Sequence, residues 1–590
     1  MLLIISLAGA GLAAGAERGF GRIQVDEISF MTNQNVPMSA KVFRPVWVDE
    51  NNPAPGLLAL HGYQSDKEAT TTFGAIELAR RGFVVVSIDQ FGMGYSTQHP
   101  VDFEIMSGAA EGLKYLKSLP FVDNTKLGTF GHSTGSIYAL KLAAANPDVG
   151  AIVALSGNGG DPDVLKVKNY LLVQGDAEEI GGYREKTFPV SDLVKNPARL
   201  AAFGLSDGDT IKWNHTYGSF TDGTARRVEL VSGTHLGVMV GGDSNTAVVS
   251  WFNDALRAGK TDSHWINPTS HIYQWKEIGG GIALIALVIT LVPLTSLLLQ
   301  LPLLGKAIGS EGSWQGPKTR GLVIFAVVNI ILTMLLYPLF TQKGGGKDPI
   351  SANVDFLPLQ MGNGIATWLL ATVIITAILF ALWWLRGGGQ KLKWSEIGVL
   401  AKQDSKTWIA SGLLLSGLLI GWLAVIVSLT AFFRGPQYRV LWPMLKTLTP
   451  ERVYVLLPYF LIIWIFFFVV NGLAINGMAR LVAKDNESDL KLFARRSAFA
   501  ILAAVGGLVL LWLFHFVPDY LGVGPGMDVI GLPTLGGRWM MMLFVIIPQF
   551  IGLILLNTWL QIRTRSIWVS TTVAAAIFTW FVVGGQVGVF

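Results

Sequence analysis

Ser133 lies between two glycines, in Gly131-His132-Ser133-Thr134-Gly135. A serine hydroxyl is a weak nucleophile at neutral pH unless a neighbouring base takes its proton. The chemistry this stretch could do is therefore acyl transfer through Ser133, given a histidine and a carboxylate supplied from elsewhere. Histidines are available at His61, His99, His132, His215, His235, His264 and His271, and carboxylates at Asp176, Glu178 and Glu179. The chain has no cysteine, which excludes thiolate nucleophiles, disulfides and thiolate metal sites together. No His, Asp and Glu cluster has metal-ligand spacing, so neither a metal nor a cofactor is expected. The net charge of +5 comes without a basic run interleaved with aromatics, which argues against nucleic acid as a partner.

The elements around Ser133 make the motif more specific than it is alone in a chain with 67 glycines. "KLGTFG" reads as a short apolar strand and "STGSIYALKLAAANP" as a helix, with Ser133 in the turn between them. That is the geometry of a nucleophile elbow, in which a sharp turn exposes the hydroxyl at the sheet edge. Gly131 and Gly135 are small because strand and helix come close there. The helix N-terminus aims N–H groups and a positive dipole end at the reaction centre. Over 22–258 strand and helix patterns alternate, which predicts a mostly parallel sheet covered by helices. "QVDEISFMT" and "VPMSAKVFRP" read as an opening hairpin. "PGLLALHG", "FVVVSIDQ", "VGAIVALSG", "NYLLVQG" and "ARRVELVSG" read as further strands. "GAIELARRG", "FEIMSGAAEGLKYLKSL" and "NTAVVSWFNDAL" read as helices.

Four blocks in order, "LLALHGY", "VVVSIDQFGMGYS", "VDNTKLGTFGHSTGS" and "VSGTHLG", resemble the α/β-hydrolase superfamily, nearest to its dienelactone-hydrolase and prolyl-oligopeptidase-like branches. The resemblance covers less than half the chain. It implies Ser133 as nucleophile and His235 as general base. It implies an acid a few residues past Gly175, where the family spacing falls on Glu178 with Asp176 or Glu179 as alternatives. It implies an oxyanion hole from the backbone N–H groups of Tyr63 and Thr134. His215 is the rival base, in an element before the last strand. His61 and His132 are expected to shape the motifs, and His99, His264 and His271 to lie at surfaces. An insertion from Gly181 to about Thr224, with Tyr183, Phe188, Phe203, Trp213, Tyr217 and Phe220, is expected to wall the pocket.

The rest of the chain explains the 51% hydrophobic content. A membrane-spanning helix needs about 20 apolar residues. Eight such stretches follow, at 278–304, 321–340, 364–385, 408–433, 453–477, 497–517, 540–560 and 567–590, and none contains Asp, Glu, Lys or Arg. Residues 1–16 read as an anchor helix or a signal peptide, 17–262 as an extracytoplasmic hydrolase domain, 263–277 as a linker and 278–590 as a polytopic membrane domain. With the first domain outside, the loops near 305–320, 386–406, 480–496 and 563–565 face inward. They carry about twice as many Lys and Arg as the outer loops, as the positive-inside rule requires. Arg434, Arg439, Lys446 and Arg452 run against that bias, and read as interfacial anchors or lipid-headgroup contacts. The polar residues Asn329, Asn471, Asn476, His515, Gln549 and Asn557 suffice for helix–helix hydrogen bonds.

The expected protein is a multi-pass cell-membrane serine hydrolase acting on ester or thioester bonds, with a lipidic or apolar acyl substrate and membrane lipids as partners. Acyl transfer to an acceptor other than water and peptidase action are its variants. Eight helices exceed what anchoring needs, which leaves room for a homo-oligomer or a membrane partner protein. The competing expectation is a transport, channel or assembly protein whose hydrolase domain is regulatory or vestigial.

Overall fold

The computed structural model describes all residues except 101–106, 181–183, 311–313, 345–355, 388–391, 403, 436, 442–443, 586–587 and 589–590. Tyr183, Lys347, Lys391 and the start of the helix expected over 103–119 lie outside the described residues.

The chain opens with α1 (Leu2–Glu17), followed by the antiparallel hairpin β1 (Ile23–Met31) and β2 (Pro37–Pro45). Then come β3 (Ala54–Leu60), α2 (Ala75–Ala79), β4 (Val84–Ile88), α3 (Ala109–Ser118), β5 (Val122–His132) and α4 (Thr134–Ala145). β6 (Val149–Leu155), β7 (Tyr170–Gly175), α5 (Pro197–Ala202), β8 (Arg226–Val231), α6 (His235–Val240) and α7 (Gly242–Arg257) complete the domain. The eight strands form one sheet in the order β1-β2-β4-β3-β5-β6-β7-β8. All pairings from β4 through β8 are parallel. The strands expected from sequence are therefore present. β3, β4 and β7 are buried at every position, as parallel strands covered on both faces must be. Two apolar layers cover the sheet, one including Leu58, Val86, Leu140 and Ile152, the other Phe73, Phe130, Val153 and Phe252.

Residues 263–277 run back along this domain. The Arg81 guanidinium donates to the carbonyls of Ile266, Asn267 and Ser270, and Glu77 accepts from the backbone N–H groups of Ile272 and Tyr273. Tyr273 is both buried against the hydrolase domain and the first residue of the next helix.

Among the described residues eight helices are long and apolar enough to cross a membrane: α8 (Tyr273–Leu298), α9 (Thr319–Thr341), α10 (Gln360–Leu385), α11 (Ser405–Arg434), α12 (Pro450–Met478), α13 (Asp489–Tyr520), α14 (Trp539–Thr564) and α15 (Ile567–Gly585). This is a multi-pass membrane protein by the length and composition of its helices. α1 packs on α8 at backbone distance. A Cβ on Gly9 would meet Ala283 N and Gly279 O at 2.8 Å, and one on Gly279 would meet Ala13 N at 2.6 Å. Such small-residue seams let membrane helices approach closely without a hydrophobic driving force. Asn476 donates to Asn557 on α14, a hydrogen bond between spans of the kind expected.

Candidate functional site

Ser133 sits between the end of β5 and the start of α4 with φ +58° and ψ −123°. A non-glycine residue held at positive φ costs about 1–3 kcal/mol and persists only where its surroundings enforce it. The close packing that enforces it is visible at the flanking glycines. A Cβ on Gly131 would lie 2.5 Å from Gly135 C and O, and one on Gly135 would lie 2.4 Å from Leu60 O and His61 O. Ser133 N donates to Leu155 O at 2.9 Å, which pins the turn to β6.

A cavity of about 400 Å³ opens over the turn. Ser133, Thr134, His132, Gly62, Tyr63, Ile180, Arg184 and His235 line it from the hydrolase domain. Its opposite wall is Pro533–Gly537, from the segment joining α13 to α14, and Met541 in the first turn of α14. Leu236 packs on Met541 and Val545, so the histidine's own short helix rests on the membrane helix.

The three carboxylates after β7 have separate partners. Glu178 Oε1 pairs with His235 Nδ1, both buried. Burial works to raise the Glu178 carboxyl, but the His235 charge and hydrogen bond outweigh it and hold the group down at about 2. Glu179 Oε2 accepts from His235 N at 2.9 Å. Burial and the adjacent Glu178 charge push this second carboxyl well above the usual range. Asp176 accepts from Gly233 N at 2.8 Å and braces the turn after β8. Of the three alternatives left by the sequence, Glu178 is the one on the imidazole.

His132 Nε2 donates to His235 O at 2.9 Å, and burial with the neighbouring His235 pushes its ring down to about 3. His61 Nδ1 donates to Gly62 O while its Nε2 accepts from Gln90 N. Burial lowers this ring also. Both histidines are thus neutral spacers in hydrogen-bonded frames. His215 lies exposed in the insertion, edge-on to Tyr217, away from the cavity.

Arg184 was not visible from sequence as a site residue. Its Nη2 donates to Ser133 Oγ at 3.0 Å and its Nη1 to Ser156 O at 2.6 Å. Ser133 makes no hydrogen bond with His235 in this arrangement, although both line the cavity. Nucleophile–base hydrogen bonds are often long before substrate arrives. Among the described residues, the insertion's aromatics do not line the cavity, although its Arg184 does. Phe203, Trp213 and Tyr217 pack back on the hydrolase core, and Phe220 on Trp251. Phe188 reaches the membrane domain beside Gly524 instead.

The contrary positive charges of the α11–α12 connection also have a place. Arg439, Lys446 and Arg452 are buried against the hydrolase domain and are not headgroup contacts. Arg439 Nη1 and Lys446 Nζ each lie 2.9 Å from an oxygen of Asp66. Arg452 donates to Gly94 O and Val583 O. Tyr63 OH donates to Gln360 of α10, Tyr95 meets Thr447, and Thr97 donates to Glu451.

A family profile described as alpha/beta hydrolase fold matches residues 55–227. The uncharacterized protein YcjY of Escherichia coli is 30% identical over 138 residues, 22% of this chain and 45% of that one. The mitochondrial acyl-coenzyme A thioesterase 2 of Mus musculus is 26% identical over 163 residues, 27% of this chain and 31% of that one. The chain thus spans less than half the length of these curated relatives. Among solved structures, dienelactone hydrolase from Anabaena variabilis aligns at 20% identity and a TM-score of 0.28, over 40% of this chain and all of that one. The family match and the sheet order together establish an α/β-hydrolase fold for the N-terminal domain of this multi-pass membrane protein.

Proposed function

We propose that this protein is a membrane-integrated serine hydrolase that cleaves an ester or thioester of an apolar or lipidic acyl group at the outer membrane face. The observation that carries the reading is the pairing of Glu178 with His235 at a cavity that also holds the strained Ser133 elbow. In the mechanism, Ser133 Oγ attacks the acyl carbon as His235 Nε2 takes its proton. Glu178 holds the tautomer and stabilises the imidazolium. The N–H groups of Thr134 and Tyr63 take the oxyanion, and the proton then passes to the leaving group. Water repeats the sequence to release the acyl group. The thioesterase relative supports acyl chemistry of this class. The outward topology rests on the charge bias of the loops.

The membrane helices have a role in this reading beyond anchoring, because the connection of α13 to α14 closes the cavity. An apolar acyl chain would enter alongside it. Leu535→Trp is therefore expected to lower kcat/KM for a long-chain p-nitrophenyl ester on the order of tenfold, with the acetate ester changed less than about twofold. Equal losses on both esters would show that this wall does not select the chain.

The direct test is labelling of the detergent-solubilised full chain with a fluorophosphonate probe. Labelling is expected in the native protein and absent in Ser133→Ala and His235→Ala. A folded native protein that takes no label would overturn the reading, and would favour a transport or assembly role with a vestigial hydrolase domain.

A further inference from the structure

Away from the Ser133 cavity, α1 and α11 enclose a groove of about 820 Å³ that shares no lining residue with it. Leu7 and Gly11 form one wall, Leu429 and Phe433 the other. Arg18, just after α1, and Arg434, the last residue of α11, complete its lining. Both arginines also line a neighbouring, more polar cleft of about 460 Å³. They therefore stand where the groove passes from apolar to polar lining. Arg434 is the last residue of a 30-residue span, and Arg18 directly follows α1. Cations at the ends of apolar helices sit at headgroup depth in a bilayer.

Neither guanidinium holds a carboxylate of its own, although Glu17, Glu27 and Glu68 nearby outnumber Lys41 and Lys276, the two lysines they share. Among the described residues neither is in an ion pair, and the carboxylates beside them are already engaged. Glu17 holds Lys41 at 2.9 Å and Lys276 at 3.3 Å, and Glu27 holds Lys41 at 3.3 Å. The Arg434 guanidinium lies over Gly11, where an added Cβ would meet Nη1 at 2.8 Å. The missing side chain is what lets the charge sit on the helix. Two unpaired cations lining an apolar groove match a ligand with a phosphate at one end and a hydrocarbon chain at the other. A zwitterionic headgroup would bring its own cation against them, so a net anionic one fits better.

We propose that the groove between α1 and α11 binds one anionic phospholipid, with its phosphate on Arg18 and Arg434 and an acyl chain against Leu7, Leu429 and Phe433.

The test is native mass spectrometry of the full chain in detergent, titrated with phosphatidylglycerol or phosphatidylcholine of matched chains. One phosphatidylglycerol per chain is expected to be retained, on the order of tenfold in preference to phosphatidylcholine. The preference should fall as salt rises and vanish in Arg18→Gln/Arg434→Gln. Gly11→Leu, which displaces the guanidinium and fills the groove, should reduce retention of the lipid while leaving both arginines in the chain. Equal retention of the two lipids, or a preference that survives in the double variant, would overturn the proposal. So would inorganic phosphate competing as well as the lipid does, since it would mean that the groove adds nothing.

Discussion

Ser133→Ala and His235→Ala are each expected to lower kcat/KM for a p-nitrophenyl ester on the order of 10⁶-fold, and the double variant no further, because a nucleophile without its base gains nothing from either alone. Glu178→Gln is expected to cost about 10⁴-fold, since the amide cannot stabilise the imidazolium and favours the wrong tautomer. The neighbouring carboxylates set the contrast. Glu179 meets the backbone N–H of His235 and Asp176 that of Gly233, so Glu179→Gln and Asp176→Asn should each cost less than about tenfold. Their linkage to stability has opposite signs. The Glu178 carboxyl is held below its ordinary 4.5, so its contribution is present above pH 4.5 and lost as pH falls toward about 2. The Glu179 carboxyl is held above 4.5, so its contribution is complete below pH 4.5 and lost as pH rises through its folded value. Glu179→Gln should therefore raise the thermal midpoint at pH 8 more than at pH 4, while Glu178→Gln should not. A Glu179→Gln variant as inactive as Glu178→Gln would reassign the acid.

The strands and the elbow were legible because each is local, while Glu178 was favoured only by the family resemblance, with Asp176 and Glu179 left open. Alternating apolar runs bounded by glycines set the sheet, whereas it took the folded turn after β7 to put Glu178, and not Asp176 or Glu179, on the His235 ring. What was not legible depends on distant chain. The cavity's second wall comes from Pro533–Gly537 and Met541, some hundreds of residues after Ser133, and no periodicity links the two. The stretch 522–537 is rich in Gly and Pro, a sign of a built loop rather than a minimal turn, but that does not say what it covers. The insertion misled in the opposite way. Aromatics in an excursion can line a pocket or pack home, and Phe203, Trp213 and Tyr217 pack home. Arg184 gave no signal, because one arginine in such a segment looks like any other.

The basic residues between α11 and α12 give the second large effect. Asp66 is 373 residues from Arg439 and 380 from Lys446, yet both cations share its buried carboxylate. Burial alone would raise the Asp66 carboxyl, but Lys446 and Arg439 hold it far below the ordinary range. Its contribution is therefore present from the ordinary carboxylate range upward and declines only in strong acid. Breaking a buried pair from one side leaves the other charge unsolvated, at about 3–5 kcal/mol. Asp66→Asn strands two cations and is expected to reach that range, read as a lowered midpoint of thermal unfolding in detergent. Arg439→Met and Lys446→Met should each cost less, because the other cation still meets the carboxylate. Combining both with Asp66→Leu should recover part of the loss, since no buried charge of the cluster then remains unpaired. Asp66 follows Ser65 and Tyr63, which line the cavity, so the clamp ties the proposed oxyanion loop to the membrane domain. Asp66→Asn should accordingly lower kcat at temperatures well below the unfolding midpoint, with the KM of a short ester little changed. An unfolding free energy within about 1 kcal/mol of the native protein's would mean that the contact carries no net stability, as exposed ion pairs do not.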